Sequence, residues 1–221
     1  MNTSDGVIHF KDWDNSWIPQ ILKEMYIDNV YAPYLYNKTN LTILDLGLNI
    51  GLFSMFASRF AKQIYAFEPA KQTFDIAKKN IEENGLTNVK LYQKAIAKDD
   101  GTVTFWHADN TTMNSTMEIV TSKNAQGKTK EEVEAIRLDT FVGQEGITHI
   151  DFAKIDIEGT ECEVIGSKSF QNIVPILESF VVEYHEWSGV NVQQLVTTIR
   201  DYGYVVNLIP AQAVILGAVK K

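Results

Sequence analysis

From residue 42 onward, short apolar runs alternate with segments of helical period, and this alternation most limits what the chain can fold into. Residues 42–46 (TILDL) form a β-branched run that breaks at Gly47, and 51–62 (GLFSMFASRFAK) carry apolar residues at helical spacing. Residues 63–68 (QIYAFE) read as a second strand, and Pro69 is placed to open a helix that stops at Asn84-Gly85. Residues 88–93 (NVKLYQ) are a third strand. A β-α-β-α-β order implies an α/β chain with a parallel sheet and right-handed crossovers. The pattern resumes with a strand at 150–157, a helix within 160–170, a strand at 179–185 and a helix at 192–202. Two final runs, 204–209 and 213–219, lie too close together for a crossover helix and should form an antiparallel hairpin.

The flanks are less regular. Residues 17–36 form an aromatic-rich helical segment interrupted at Pro33, with Trp13, Trp17, Tyr26, Tyr31 and Tyr34 suiting core packing or a lid. Strands are expected at 101–107 and 134–138. Between them, 109–130 is rich in Ser, Thr, Asn and Lys and reads as a mobile loop, with a candidate short strand at 117–120. A length of 221 residues suits one domain, 1–221, with residues 1–41 as an N-terminal extension.

Charge and cysteine content exclude several classes. Lys plus Arg number 20 against 28 Asp plus Glu, a net charge of −8, which argues against a basic face for nucleic acid. The single cysteine, Cys162, permits no intrachain disulfide and no cysteine metal framework. The first residues are polar and acidic, and no apolar run approaches the length of a membrane span, so the expectation is a cytoplasmic protein without a membrane partner.

The most informative stretch is ILDLGLNIG, residues 43–51. A buried strand runs into Gly47, and Gly51 opens a helix, whose free N–H groups suit a negative group. Glu68 follows about 20 residues later, where an acidic side chain at a strand end meets the ribose of a bound nucleoside. The Gly-x-x-x-Gly spacing differs from the dinucleotide fingerprint, which disfavours an NAD-dependent oxidoreductase. Asp45 would repel a pyrophosphate but could orient water or an ammonium group. The combination favours a ligand with an amino-acid end and an adenosine, as in S-adenosylmethionine, with S-adenosylhomocysteine (SAH) as product. A tight turn with a solvated Glu68 is the plainer alternative, and a binding protein that keeps the pocket without catalysis is another. The Gly127-Lys128-Thr129 sequence ends like a phosphate loop but lacks its first glycine, since Ser122 stands there.

The segments ILDLGLNIGLFSMFAS, YAFEPAKQTFDIAKKNIEENGLTNVKLYQKAIAKDDGTVTF, VEAIRLDTF and FAKIDIEGTECEVI together resemble the FkbM-type family of S-adenosylmethionine-dependent methyltransferases. That resemblance implies a Rossmann-like class I methyltransferase fold, a seven-stranded sheet of order 3-2-1-4-5-7-6 with helices on both faces. It also implies methyl transfer to a hydroxyl, on a small molecule or sugar. By the same resemblance Gly47, Asn49 and Gly51 would face the methionine end of the cofactor, Glu68 the ribose, and Ala95 and Ile96 the adenine.

The acceptor side is read from strand parity. Lys154, Asp156 and Glu158 share one parity on the fourth strand, and Glu183 and His185 share one on the fifth. Asp156, Glu158 and His185 are thus the candidate catalytic groups, with His185 suited to act as a base titrating between about 6 and 7.5. Asp156 capping the next helix and His185 as a solvated strand end are the structural alternatives. Two carboxylates and an imidazole could also hold a divalent cation, but no metal is the favoured reading.

Overall fold

The structure is a computed structural model that describes residues 18–107, 129–209 and 214–221, with Ala211 and two paired two-residue strands, Asn2–Thr3 and Gly6–Val7. Its main sheet has seven strands: β1 (Leu41–Leu46), β2 (Ala61–Phe67), β3 (Val89–Tyr92), β4 (Phe152–Ile155), β5 (Ser179–Tyr184), β6 (Tyr204–Ile209) and β7 (Val214–Lys220). Their order across the sheet is β3-β2-β1-β4-β5-β7-β6, as the family resemblance implied. The first five strands run parallel, and β7 pairs antiparallel with both β5 and β6. β1, β4 and β5 are buried along almost their whole length because helices cover both faces, which is why they are near-continuous apolar runs.

The helices sort onto the faces by chain order. α1 (Ile18–Tyr26), α2 (Ala32–Leu35), α3 (Leu52–Ala57) and α4 (Lys71–Glu83) share one apolar cluster with Ile43, Phe152 and Val181. α5 (Leu138–Glu145), α6 (Glu161–Ile165), α7 (Lys168–Ile173) and α8 (Val192–Asp201) share the other with Leu44, Ile155 and Val182. Strand alternation therefore aims Asp45, Lys154 and Glu183 towards the α1–α4 face. A second sheet, of three strands, joins Ala95–Ile96, Thr129–Ile136 and Gly101–His107.

Several boundaries differ from the sequence reading. The helix expected over 51–62 ends at Ala57, since the Phe60 carbonyl accepts the Leu41 N–H at 3.1 Å and the chain turns directly into β2. The strand expected at 134–138 starts earlier, at Thr129, and Leu138 instead opens α5. Pro33 does not interrupt a helix; it sits in the first turn of α2, and the break falls before it, where Asn29 has φ 54°. The helix placed within 160–170 is two, because Ser167 caps α7 by accepting the Phe170 N–H at 3.1 Å. The strand expected to reach Ile157 stops at Ile155, so Asp156 and Glu158 lie beyond it. The loop expected over 109–130 lies almost wholly outside the described residues, as do the candidate strand at 117–120, Trp13 and Trp17. No helix among the described residues is long and apolar enough to cross a membrane.

Candidate active site

The glycine turn after β1 is held by the neighbouring strand. Gly47 has φ +93°, and a Cβ there would lie 1.7 Å from the Asp156 carbonyl oxygen, so only glycine lets β1 and the chain leaving β4 meet. Lys154 locks that meeting: its Nζ donates to the Gly47 carbonyl at 2.9 Å and to Asp156 Oδ2 at 3.1 Å. Asp45 pairs with Lys154 in the β1–β4 register, is fully buried, and accepts the Ser54 hydroxyl at 2.6 Å. Burial pushes the Asp45 carboxyl up to about 6 against the pull of Lys154 and Ser54. For Lys154 burial works the other way, but Asp156 and Asp45 outweigh it and hold the ammonium above the usual lysine range.

Glu68, just past β2, bridges two turns. One oxygen accepts the Asn49 N–H and the other the Ala70 N–H, both at 3.0 Å. The side chain is almost fully buried, and burial raises it to about 7 despite those donors.

A cavity opens over these strand ends, walled by Gly47, Asn49, Glu68, Ala95, Ile96, Asp156 and Glu158 among others. A second is walled by Ile21 and Glu24 of α1 together with Lys154, Asp156 and Glu183. The two adjoin, for Gly47, Asn49 and Asp156 belong to both walls. Five of the seven residues read as cofactor-binding thus converge on the first cavity. Asp45 and Gly51 line neither: Asp45 lies under the turn, and Gly51 packs towards Ala77.

The three candidate catalytic residues are close together but differently placed. His185 lines neither cavity. Its Nδ1 is 2.9 Å from Glu161 Oε1, and its Nε2 is 3.5 Å from Glu158 Oε2 and 3.9 Å from Glu183 Oε1. Glu161 is fully buried and also accepts the N–H groups of Ile157 and Gly159, each at 3.0 Å. Burial opposes a charge on His185, but the Glu161 hydrogen bond and the charges of Glu161, Glu158 and Asp156 overcome it and raise the imidazole to about 10. The near-neutral titration expected from sequence is therefore replaced by an imidazolium that is charged across the neutral range. Asp156, Glu161 and His185 bring one ligand-type atom each within 4.8 Å of one another. Thr160, not Asp156, stands at the N-cap of α6.

Glu161, Lys154 and Glu183 received no role from sequence. Glu183 carried a signal, its shared parity with His185; Glu161 carried none, since an acidic residue opening a helix ordinarily faces solvent.

Sheets of this strand order are built by class I methyltransferases, and the likeness spans most of the chain. SMU.1697c from Streptococcus mutans, solved in complex with SAH, superposes with a TM-score of 0.55 at 12% identity, covering 87% of this chain and 97% of that one. Residues 45–206 match the model of the methyltransferase FkbM domain, and the chain belongs to that family; it is a methyltransferase. It is 30% identical over 213 residues to methyltransferase sdnD of Sordaria araneosa, spanning 83% of this chain and 81% of the relative. With the 31-O-demethyl-FK506 methyltransferase FkbM of Streptomyces tacrolimicus it shares 26% identity over 215 residues, 84% of this chain and 81% of the relative.

Proposed function

We propose that the first cavity binds S-adenosylmethionine and that a hydroxyl of a small molecule or sugar, seated in the second cavity, receives its methyl group. The observation that carries this reading is the shared wall at Gly47, Asn49 and Asp156, which sets the two cavities side by side over the strand ends. The donor fits the residues present: Glu68 is a buried carboxylate at the end of β2, suited to accept ribose hydroxyls, and Ala95 and Ile96 offer an apolar slot for adenine. Gly47 and Asn49 meet the methionine end, while Asp45 and Gly51 support the turn from below. The SAH bound by the Streptococcus mutans protein supports the same donor, and the activity for which the Streptomyces tacrolimicus relative is named supports a hydroxyl acceptor.

When bound, the donor supplies an electrophilic methyl carbon; the protein's part is to align the acceptor and take its proton. Asp156 lies on the shared wall, held in place by Lys154, and Glu158 lines the first cavity. His185 supplies fixed positive charge behind them, so transfer should be insensitive to chelators.

Calorimetry with SAH and with NAD tests the donor. SAH should bind one per chain and NAD should not; the reverse result would restore the oxidoreductase reading. Transfer of a radiolabelled methyl group from S-adenosylmethionine to any hydroxyl compound would separate an enzyme from a binding protein.

A further inference from the structure

We propose that Glu183, not His185, is the catalytic residue that takes the proton from the acceptor hydroxyl. This rests on the reading that the second cavity holds the acceptor.

The second cavity offers few groups able to do this work. Lys154 is a cation already donating to Gly47 and Asp156. Tyr31 is a fully buried phenol whose proton burial holds more tightly than usual. Asp156 is tied to Lys154 through one oxygen, and its other oxygen is buried without a partner among the described residues, while Glu24 accepts the Gln20 amide at 3.1 Å within α1. Glu183 differs from all of these. Its carboxylate makes no hydrogen bond among the described residues, keeps 29% of its side-chain exposure, and lies on the cavity wall beside Asp156. Its place is set by β5, where its register partner on β7 is the apolar Ile215.

The charges facing Glu183 come from every packed element. α1 contributes Glu24, β4 Lys154, the chain after β4 Asp156 and Glu158, and the end of its own strand His185. Burial, then Asp156 and Glu24, raise the carboxyl, while His185 and Lys154 restrain the rise, leaving it at about 8. A base poised there is matched to a hydroxyl near neutral pH far better than an imidazolium clamped by Glu161.

The step balances. The acceptor oxygen forms its bond to the methyl carbon as the carbon–sulfur bond breaks, with that electron pair staying on sulfur. The hydroxyl proton passes to the Glu183 carboxylate, which returns it to solvent after the products leave. Because the ionised form is the base, transfer should rise with pH through about 8.

Two measurements on the SAH- or S-adenosylmethionine-loaded full chain decide this. In the first, infrared difference spectra between wild type and Glu183→Gln follow the protonated carboxyl band with pH. One carboxyl titrating near 8 and missing from the variant is expected; a Glu183 band lost near the ordinary glutamate value would overturn the proposal. The second uses radiolabelled methyl transfer to methyl glucoside, glycerol and catechol. Glu183→Gln should lower kcat by about 10²-fold or more and abolish the rise through pH 8, with SAH affinity unchanged. Glu183→Asp should recover part of the rate with its pH dependence, and His185→Gln should keep the dependence, displaced in pH. A Glu183→Gln enzyme with wild-type kcat and pH profile would remove Glu183 from the chemistry. Should none of the three compounds accept a methyl group, the carboxyl titration decides alone. Failure of SAH itself to bind would instead strike the donor reading.

Discussion

Glu68 spends both oxygens on backbone N–H groups before any ligand arrives. It is a preset acceptor for hydroxyls that share those lone pairs, so Glu68→Ala should weaken SAH by about 1.5–3 kcal/mol in calorimetry, the scale of hydrogen bonds to a charged group. The sign of the pH effect follows from its raised pKa. Hydroxyls donate to the ionised form, which is lost as pH falls through about 7; wild-type affinity should therefore decline from pH 8 to 5, and the alanine variant should lose most of that decline. Residues of this kind are legible in the sequence because chemistry forces their spacing: a glycine where strands touch, an acid one strand later. Glu161 is not, because its partners are His185 and two backbone groups brought to it only by the turn at Gly159. Gly47 is legible as a residue but not in its full cause, since the nearest obstruction to a side chain is the Asp156 carbonyl.

At the scale of elements, the strands are the easier part. β1, β4 and β5, buried between helices on both faces, must be largely apolar, and that shows in TILDL and SFVVEY. The strand Thr129–Ile136 shows in the sequence only at its end, because TKEEVE is charged; it pairs along its length with Gly101–His107 in a small sheet that leaves Lys130, Glu132 and Glu134 exposed. α5 is hidden for a related reason. Its cap residue, Arg137, makes no capping hydrogen bond, so the usual start signal is missing. α8 carries the opposite case, a full capping box in which Asn191 accepts the Gln193 N–H at 2.7 Å and Gln194 reaches back to the Asn191 N–H at 3.3 Å. Asn191→Ala should cost about 1 kcal/mol in urea unfolding. SAH affinity should not change, because α8 lines neither cavity.

Over the whole molecule, the acidic interior around His185 makes stability depend on pH in an unusual direction. A histidine raised from about 6.5 unfolded to about 10 folded gives stability that is complete below the first value and lost as pH climbs to the second. Asp45, Glu68 and Glu183 are also raised, so they add losses in the same direction, ending near 6, 7 and 8. Urea midpoints should therefore fall from pH 8 to 9, and His185→Gln should remove most of that slope while lowering stability at pH 7. A slope unchanged by the substitution would place the proton elsewhere.

The position of β7 bears on how the chain can be made. It follows β6 in the sequence, yet it lies inside the sheet, between β5 and β6. Its Gly217 is also the surface against which Tyr34 of α2 rests, since a Cβ there would fall 1.8 Å from the tyrosine hydroxyl. On the ribosome, then, α2 has no completed seat and β5 keeps an open edge until β7 emerges. A sheet that assembles in chain order must therefore hold β5 as an open, adhesive edge while α8 and β6 are made, and the contact between α2 and β7 closes only afterwards.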